Sequence, residues 1–226
     1  MQYDQKPIVG AIILAGAMIA GAIILRGSSL ATIPVGENAL NSAPQLRTVS
    51  KNEHILGNPN AKIFVVEYSD LECPYCKVFH TTMRKVVEES NGEIAWVFRH
   101  YPIPGLHSKA VREAQATECA WEQGGNDAFW KYTNRIFEIT PANNGLPESE
   151  LSQTAEYTGL DLTAFSECLE SGKFAEKVVE DIVSGDHAGV NGRTPSSFIL
   201  KKGKLVDTIP GALPYEAVMQ KLEAVK

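Results

Sequence analysis

One short run constrains this chain more than any other. Ala61 to Asp70 reads AKIFVVEYSD, β-branched and aromatic with a continuous apolar centre at Ile63–Val66, and Cys73-Pro74-Tyr75-Cys76 follows almost at once. The first run predicts a buried strand. From Cys73 to Asn91 the positions Cys76, Phe79, Met83, Val86 and Val87 recur at helical spacing, and Asn91-Gly92 stops them. Glu93 to Tyr101 reads as a second strand. Strand, helix and strand in that order predict a right-handed parallel crossover, with both cysteines at the start of its helix.

That placement carries chemistry. Two cysteines at this spacing can close a small disulfide ring. The first faces the helix's unsatisfied N–H groups and the positive end of its dipole, which stabilise a thiolate and lower its pKa. The second lies a turn further in, more buried and less acidic. Pro74 suits the first helical turn, where its missing N–H costs nothing. Structural zinc is the rival reading, but it wants four ligands in close pairs. The other cysteines, Cys119 and Cys168, are far apart, and neither has a Cys or His partner nearby in sequence. No metal is expected. A purely structural Cys73–Cys76 bridge is disfavoured too, because so small a loop removes little unfolded-state entropy.

The remaining chain is mostly helical in pattern. Ser108 to Ile139 is helical with a break at Gly124-Gly125, and Pro147–Tyr157, Asp161–Ser171 and Phe174–Val183 give shorter helices, Asp161 placed to cap one. Ser197–Leu200 and Leu205–Ile209 read as strands joined through Lys201-Lys202-Gly203-Lys204, a hairpin turn. Pro214 to Val225 is amphipathic, with Tyr215, Val218, Met219 and Leu222 on one face.

The N-terminus differs in kind. Ile8 to Leu25 is eighteen residues without a charge. As a helix it spans about 27 Å, close to the roughly 30 Å hydrocarbon core. It is longer than the apolar part of a cleaved signal peptide, about 7–15 residues, which favours an uncleaved anchor over residues 1–26. Ser29-Leu30-Ala31 resembles a cleavage site and keeps the signal reading open. Residues 27–51 are rich in Ser, Ala, Asn, Gly and Pro and read as a flexible tether. The globular domain then occupies 52–226. A net charge of −6, from 21 Lys+Arg and 27 Asp+Glu, argues against nucleic acid as a partner.

The stretch NEHILGNPNAKIFVVEYSDLECPYCKVFH at 52–80 resembles the DsbA-like thiol–disulfide oxidoreductases, most of all the membrane-tethered bacterial members. The similarity continues through Tyr101-Pro102, Ala114–Gly124, Phe165–Gly172, Gly189-Val190, Thr194-Pro195 and Gly211–Glu216. It implies an α/β thioredoxin-like fold with a helical insertion at about 105–185, and redox exchange at Cys73 and Cys76. Pro195 is implied to be a cis-proline that, with Thr194, offers a backbone edge to an extended substrate; Pro74 and Tyr75 complete the substrate-facing set. Glu67 matches the family's buried proton relay, and a carboxylate inside an apolar strand has a raised pKa. Strand alternation turning Glu67 to solvent is the alternative. Arg193 departs from the commoner Gly-Thr-Pro pattern and is expected to favour the thiolate, whereas Asp70 and Glu72 oppose it. In an oxidising compartment the resemblance implies a structural Cys119–Cys168 bridge; in a reducing one both are buried thiols. The five histidines form no constellation, and His80, a turn beyond Cys76, is read as structural.

The implied activity is an oxidase that introduces disulfides into unfolded exported proteins with free thiols. It is expected to need no cofactor and to act as a monomer. A DsbB-like or vitamin-K-epoxide-reductase-like membrane protein would reoxidise it on the extracytoplasmic side. A reductase or isomerase sharing the motif, and a peptide-holding module, are the competing readings.

Overall fold

The computed structural model describes residues 45–226. The apolar segment 8–25 and most of the expected tether lie outside the described residues. Among the described residues no helix is long and apolar enough to cross a membrane.

The elements run β1 (His54–Gly57), β2 (Ile63–Ser69), α1 (Pro74–Glu89), β3 (Ile94–His100), α2 (Ala110–Ile139), α3 (Ser149–Tyr157), α4 (Leu162–Ser171), α5 (Ala175–Ala188), β4 (Ser196–Lys201), β5 (Lys204–Pro210) and α6 (Tyr215–Ala224). One five-stranded sheet has the order β1-β3-β2-β4-β5. β2 and β3 pair in parallel from Ile63↔Ile94 to Ser69↔His100, as the crossover predicts. The other pairs are antiparallel. The β4–β5 turn holds Lys202 and Gly203 at φ 52° and 75°, the positive values that a tight primed turn needs.

Alternation along β2 divides the core. Val65 packs with Cys76, Phe79 and Met83 of α1, Trp96 and Phe98 of β3, and the insertion residues Phe129 and Trp130. Val66 and Tyr68 face the other way, against Val97, Tyr101, Ala188, Val190 and Phe198. Asp161 caps α4 by accepting the Ala164 N–H at 2.7 Å, and α2 breaks at Gly124-Gly125, both as the sequence suggests.

Three local expectations are corrected. β1 was not anticipated; four residues are too few to show a period, and its pairing with β3 defines it. α5 runs past Val183 to Ala188, because Gly185 is in the helix for packing. A Cβ there would come within 2.6 Å of the Tyr101 ring and 3.0 Å of the Tyr68 ring. Residues 45–51, assigned to the tether by composition, belong to the folded body. The Gln45 N–H donates to the His187 carbonyl at 2.8 Å, Leu46 and Val49 pack on the second core, and Arg47 pairs with Asp181 at 2.7 Å.

Candidate active site

α1 begins where β2 ends, so its first residues stand at the edge of the parallel sheet. Cys73 is the N-cap, with extended backbone, and Pro74 occupies the first helical turn. Both cysteines are free thiols. Cys73 keeps a small exposure of 5%, Cys76 has none, and Tyr75 beside them is 68% exposed. The two sulfurs therefore differ in access, as exchange requires.

They differ as strongly in acidity. The Cys73 pKa is lowered to about 6. The Cys76 thiol beside it is the largest cause, working against burial; the backbone N–H of Cys76, the Thr194 side chain and the backbone N–H of Tyr75 add to it. Those amides are among the donors that a helix N-terminus leaves unpaired. Cys76 is pushed well above the usual thiol range by burial and by the neighbouring Cys73. Arg193 lies exposed on its loop, and the main groups lowering Cys73 do not include it. Asp70 is turned away from the thiolate: its carboxylate accepts from the Ile103 N–H and the His107 ring, both at 2.8 Å, and from the Glu72 N–H at 2.9 Å.

The loop before β4 closes the site from the other side. The Thr194–Pro195 peptide bond is cis. The Cys73 thiol donates to the Thr194 carbonyl at 3.5 Å. The Tyr101 hydroxyl donates to Asp186 and accepts the Gly192 N–H at 3.1 Å, which fastens this loop to β3 and α5. Glu67 lies on the α1 side of β2 with no exposure, so alternation buries it. Neither carboxyl oxygen has a hydrogen-bond partner among the described residues. Burial raises its pKa to about 8, against a smaller opposing effect of Ser69 and Trp96.

Cys119 and Cys168 are bridged, joining α2 to α4 across 49 residues of chain. That bridge removes them as zinc ligands. His80 is buried with its ring 2.7 Å from Asn134, and burial lowers its pKa to about 3.

Sequence reasoning missed two polar groups. His54 and His100 converge on one Glu118 oxygen at 2.7 and 3.0 Å, with Lys177 at 3.7 Å. They come from four separate elements, so no local spacing announces them. Glu113 of α2 faces Glu72, the residue before Cys73. Burial and this second carboxylate raise the Glu113 pKa to about 9.

A thioredoxin family model matches residues 49–213. DsbA2 of Pseudomonas aeruginosa shares the fold with TM-score 0.66 and 26% identity, over 80% of this chain and 97% of that one. BdbD from Bacillus subtilis does so with TM-score 0.67 and 23% identity, over 81% and 98%. A Na(+)/H(+) antiporter NhaA of Salinispora tropica is 33% identical over 151 residues, 65% of this chain but only 21% of the antiporter. The chain thus matches about a fifth of the length of these curated relatives.

Proposed function

We propose that the chain, which belongs to the thioredoxin family, is a DsbA-like protein disulfide oxidoreductase that works as an oxidase for exported proteins. The observation that carries this reading is the acidity gap between Cys73 and Cys76. A substrate thiolate attacks Cys73 in the oxidised enzyme, and Cys76 leaves. The substrate's second thiol then attacks the substrate sulfur of the mixed disulfide, and Cys73 leaves as a thiolate. A thiol with a pKa near 6 is a good leaving group, so the reduced enzyme is the favoured product. The substrate loses two electrons, and the Cys73–Cys76 pair gains them.

The Thr194–Pro195 loop and exposed Tyr75 form the edge on which an extended substrate lies. A DsbB-like or vitamin-K-epoxide-reductase-like membrane protein restores the disulfide. We place the domain, as a monomer, outside the cytoplasm behind an anchor at residues 1–26. The Cys119–Cys168 bridge supports that placement, since such bonds persist in oxidising compartments. An anchor would also raise the effective concentration near a membrane reoxidant.

Equilibration of the chain against glutathione buffers, read by thiol trapping, tests the direction. We expect a potential well above about −270 mV, the thioredoxin value, and nearer the strongly oxidising end of the range. A value at or below the thioredoxin figure makes the protein a reductase. Thiolate absorbance should titrate near pH 6 and vanish in Cys73→Ser.

A further inference from the structure

The α1 side of β2 carries Ser69 as well as Glu67. The two are two residues apart on one face, about 7 Å along the strand. Ser69 is 1% exposed. At the next residue the Asp70 N–H points to the Cys76 sulfur at 3.4 Å. That nitrogen is bonded to the Ser69 carbonyl carbon, so the buried sulfur sits at the Ser69 end of the strand, and Glu67 lies beyond it. Ser69's own carbonyl is engaged by the Tyr101 N–H at 2.7 Å. Among the described residues its hydroxyl has no hydrogen-bond partner, and neither do the two oxygens of Glu67. Leaving buried polar atoms unpaired is costly, and each such case calls for a reason.

We propose that Ser69 is the proton relay between Glu67 and Cys76. The inference rests on the oxidoreductase reading above and deepens it. A hydroxyl donates and accepts at the same time, so it can pass a proton between groups that do not touch. In the oxidase direction Cys76 leaves Cys73 as a thiolate and takes the Ser69 proton. Ser69 takes the Glu67 proton, and Glu67 ends as a carboxylate. In reverse, the Cys76 thiol gives its proton through Ser69 to the Glu67 carboxylate and attacks the Cys73 sulfur of a mixed disulfide, expelling the other thiolate. Burial raises both end groups, so the proton each direction needs is held within the site.

The neighbours leave this route to Ser69. From α1 the titratable groups are Cys73, Cys76 and, deeper, His80, which burial keeps neutral. β4 presents the Ser197 hydroxyl opposite Glu67, but the hydroxyl beside the Cys76 thiol is that of Ser69, and β3 presents Trp96, a donor only that cannot pass a proton on. His100 is the register partner of Ser69, but its ring is bound to Glu118 and Thr117. Asp70 is held by Ile103 and His107.

The test mixes the reduced 226-residue chain with excess oxidised glutathione and quenches with acid. The first phase is Cys73 attack, which forms the glutathione mixed disulfide. The second is its release by Cys76. We expect Ser69→Ala to slow the second phase by about a hundredfold, the low end for a placed proton-transfer group, with the first phase unchanged within about twofold. The pH dependence of release should lose its Glu67 component in Ser69→Ala. Ser69→Thr, which keeps a hydroxyl, should restore both. A slowing below about tenfold, equal slowing of both phases, or failure of Ser69→Thr to restore release overturns the relay. A parent chain that forms no mixed disulfide at all overturns the oxidoreductase reading itself, and the relay with it.

Discussion

Two carboxylates lie almost equally deep in this domain and behave in opposite ways. Glu67 has no exposure and Glu118 has 1%. Glu67 has no hydrogen-bond partner among the described residues, and burial raises its pKa to about 8. Glu118 has two histidine rings within 3.0 Å and Lys177 at 3.7 Å. Burial alone would raise it, but His54 and His100 outweigh burial and hold it well below the usual carboxylate range. Depth does not set the charge; partners do. Beneath α1 the missing partners leave a group that can exchange protons. Under the insertion the complete set makes a fixed joint, since Glu118 belongs to α2, His54 to β1 and His100 to β3.

The contrast can be broken from the joint side first. Glu118→Ala leaves two buried rings and an ammonium without their anion, and should cost about 4 kcal/mol in urea denaturation at neutral pH. The Cys73 titration should stay where it is. Because the Glu118 pKa is depressed on folding, its contribution is complete above about 4.5, the unfolded value. It is lost as the pH falls toward the folded value, so variant and parent should converge on acidification.

Replacing both Cys119 and Cys168 by Ala should cost about 3 kcal/mol, again without moving Cys73, because the 49-residue loop constrains the unfolded chain. A shifted Cys73 titration in either variant would show that the insertion tunes the redox face, and would end the separation drawn here.

The smallest expected change has the opposite sign. Glu67 is neutral in the folded state up to about pH 8, whereas the unfolded carboxyl ionises near 4.5. The folded state holds the extra proton between those values, so the Glu67 contribution to stability falls as pH rises through that window. Glu67→Gln should remove that fall. The variant should be more stable than the parent at pH 7 by up to about 3 kcal/mol, with the gap opening from about pH 4.5 and levelling near 8. Denaturation midpoints across that range check it. A variant–parent difference that is the same at pH 5 and pH 8 would place Glu67 in water.

Much of the redox face was readable one residue at a time. β2, the cysteine pair at the α1 N-terminus and β3 follow from local apolar period and stop signals. The resemblance supplied what period could not, namely the Thr194–Pro195 loop and the burial of Glu67. The joint was unreadable for a plain reason. His54, His100, Glu118 and Lys177 are spaced like ordinary surface residues, and only strand pairing and helix docking bring them together. The same holds for residues 45–51, whose loose composition gives no sign of the packing of Leu46 and Val49.

By itself, then, the amino-acid order determined where a thiol pair meets the first turn of a helix, because hydrophobic period and helix-end chemistry are local. Tertiary structure alone decided which buried charges are paired. Electrostatic partnership depends on distance in space, and residues from separate elements acquire that only when the sheet and the insertion close on each other.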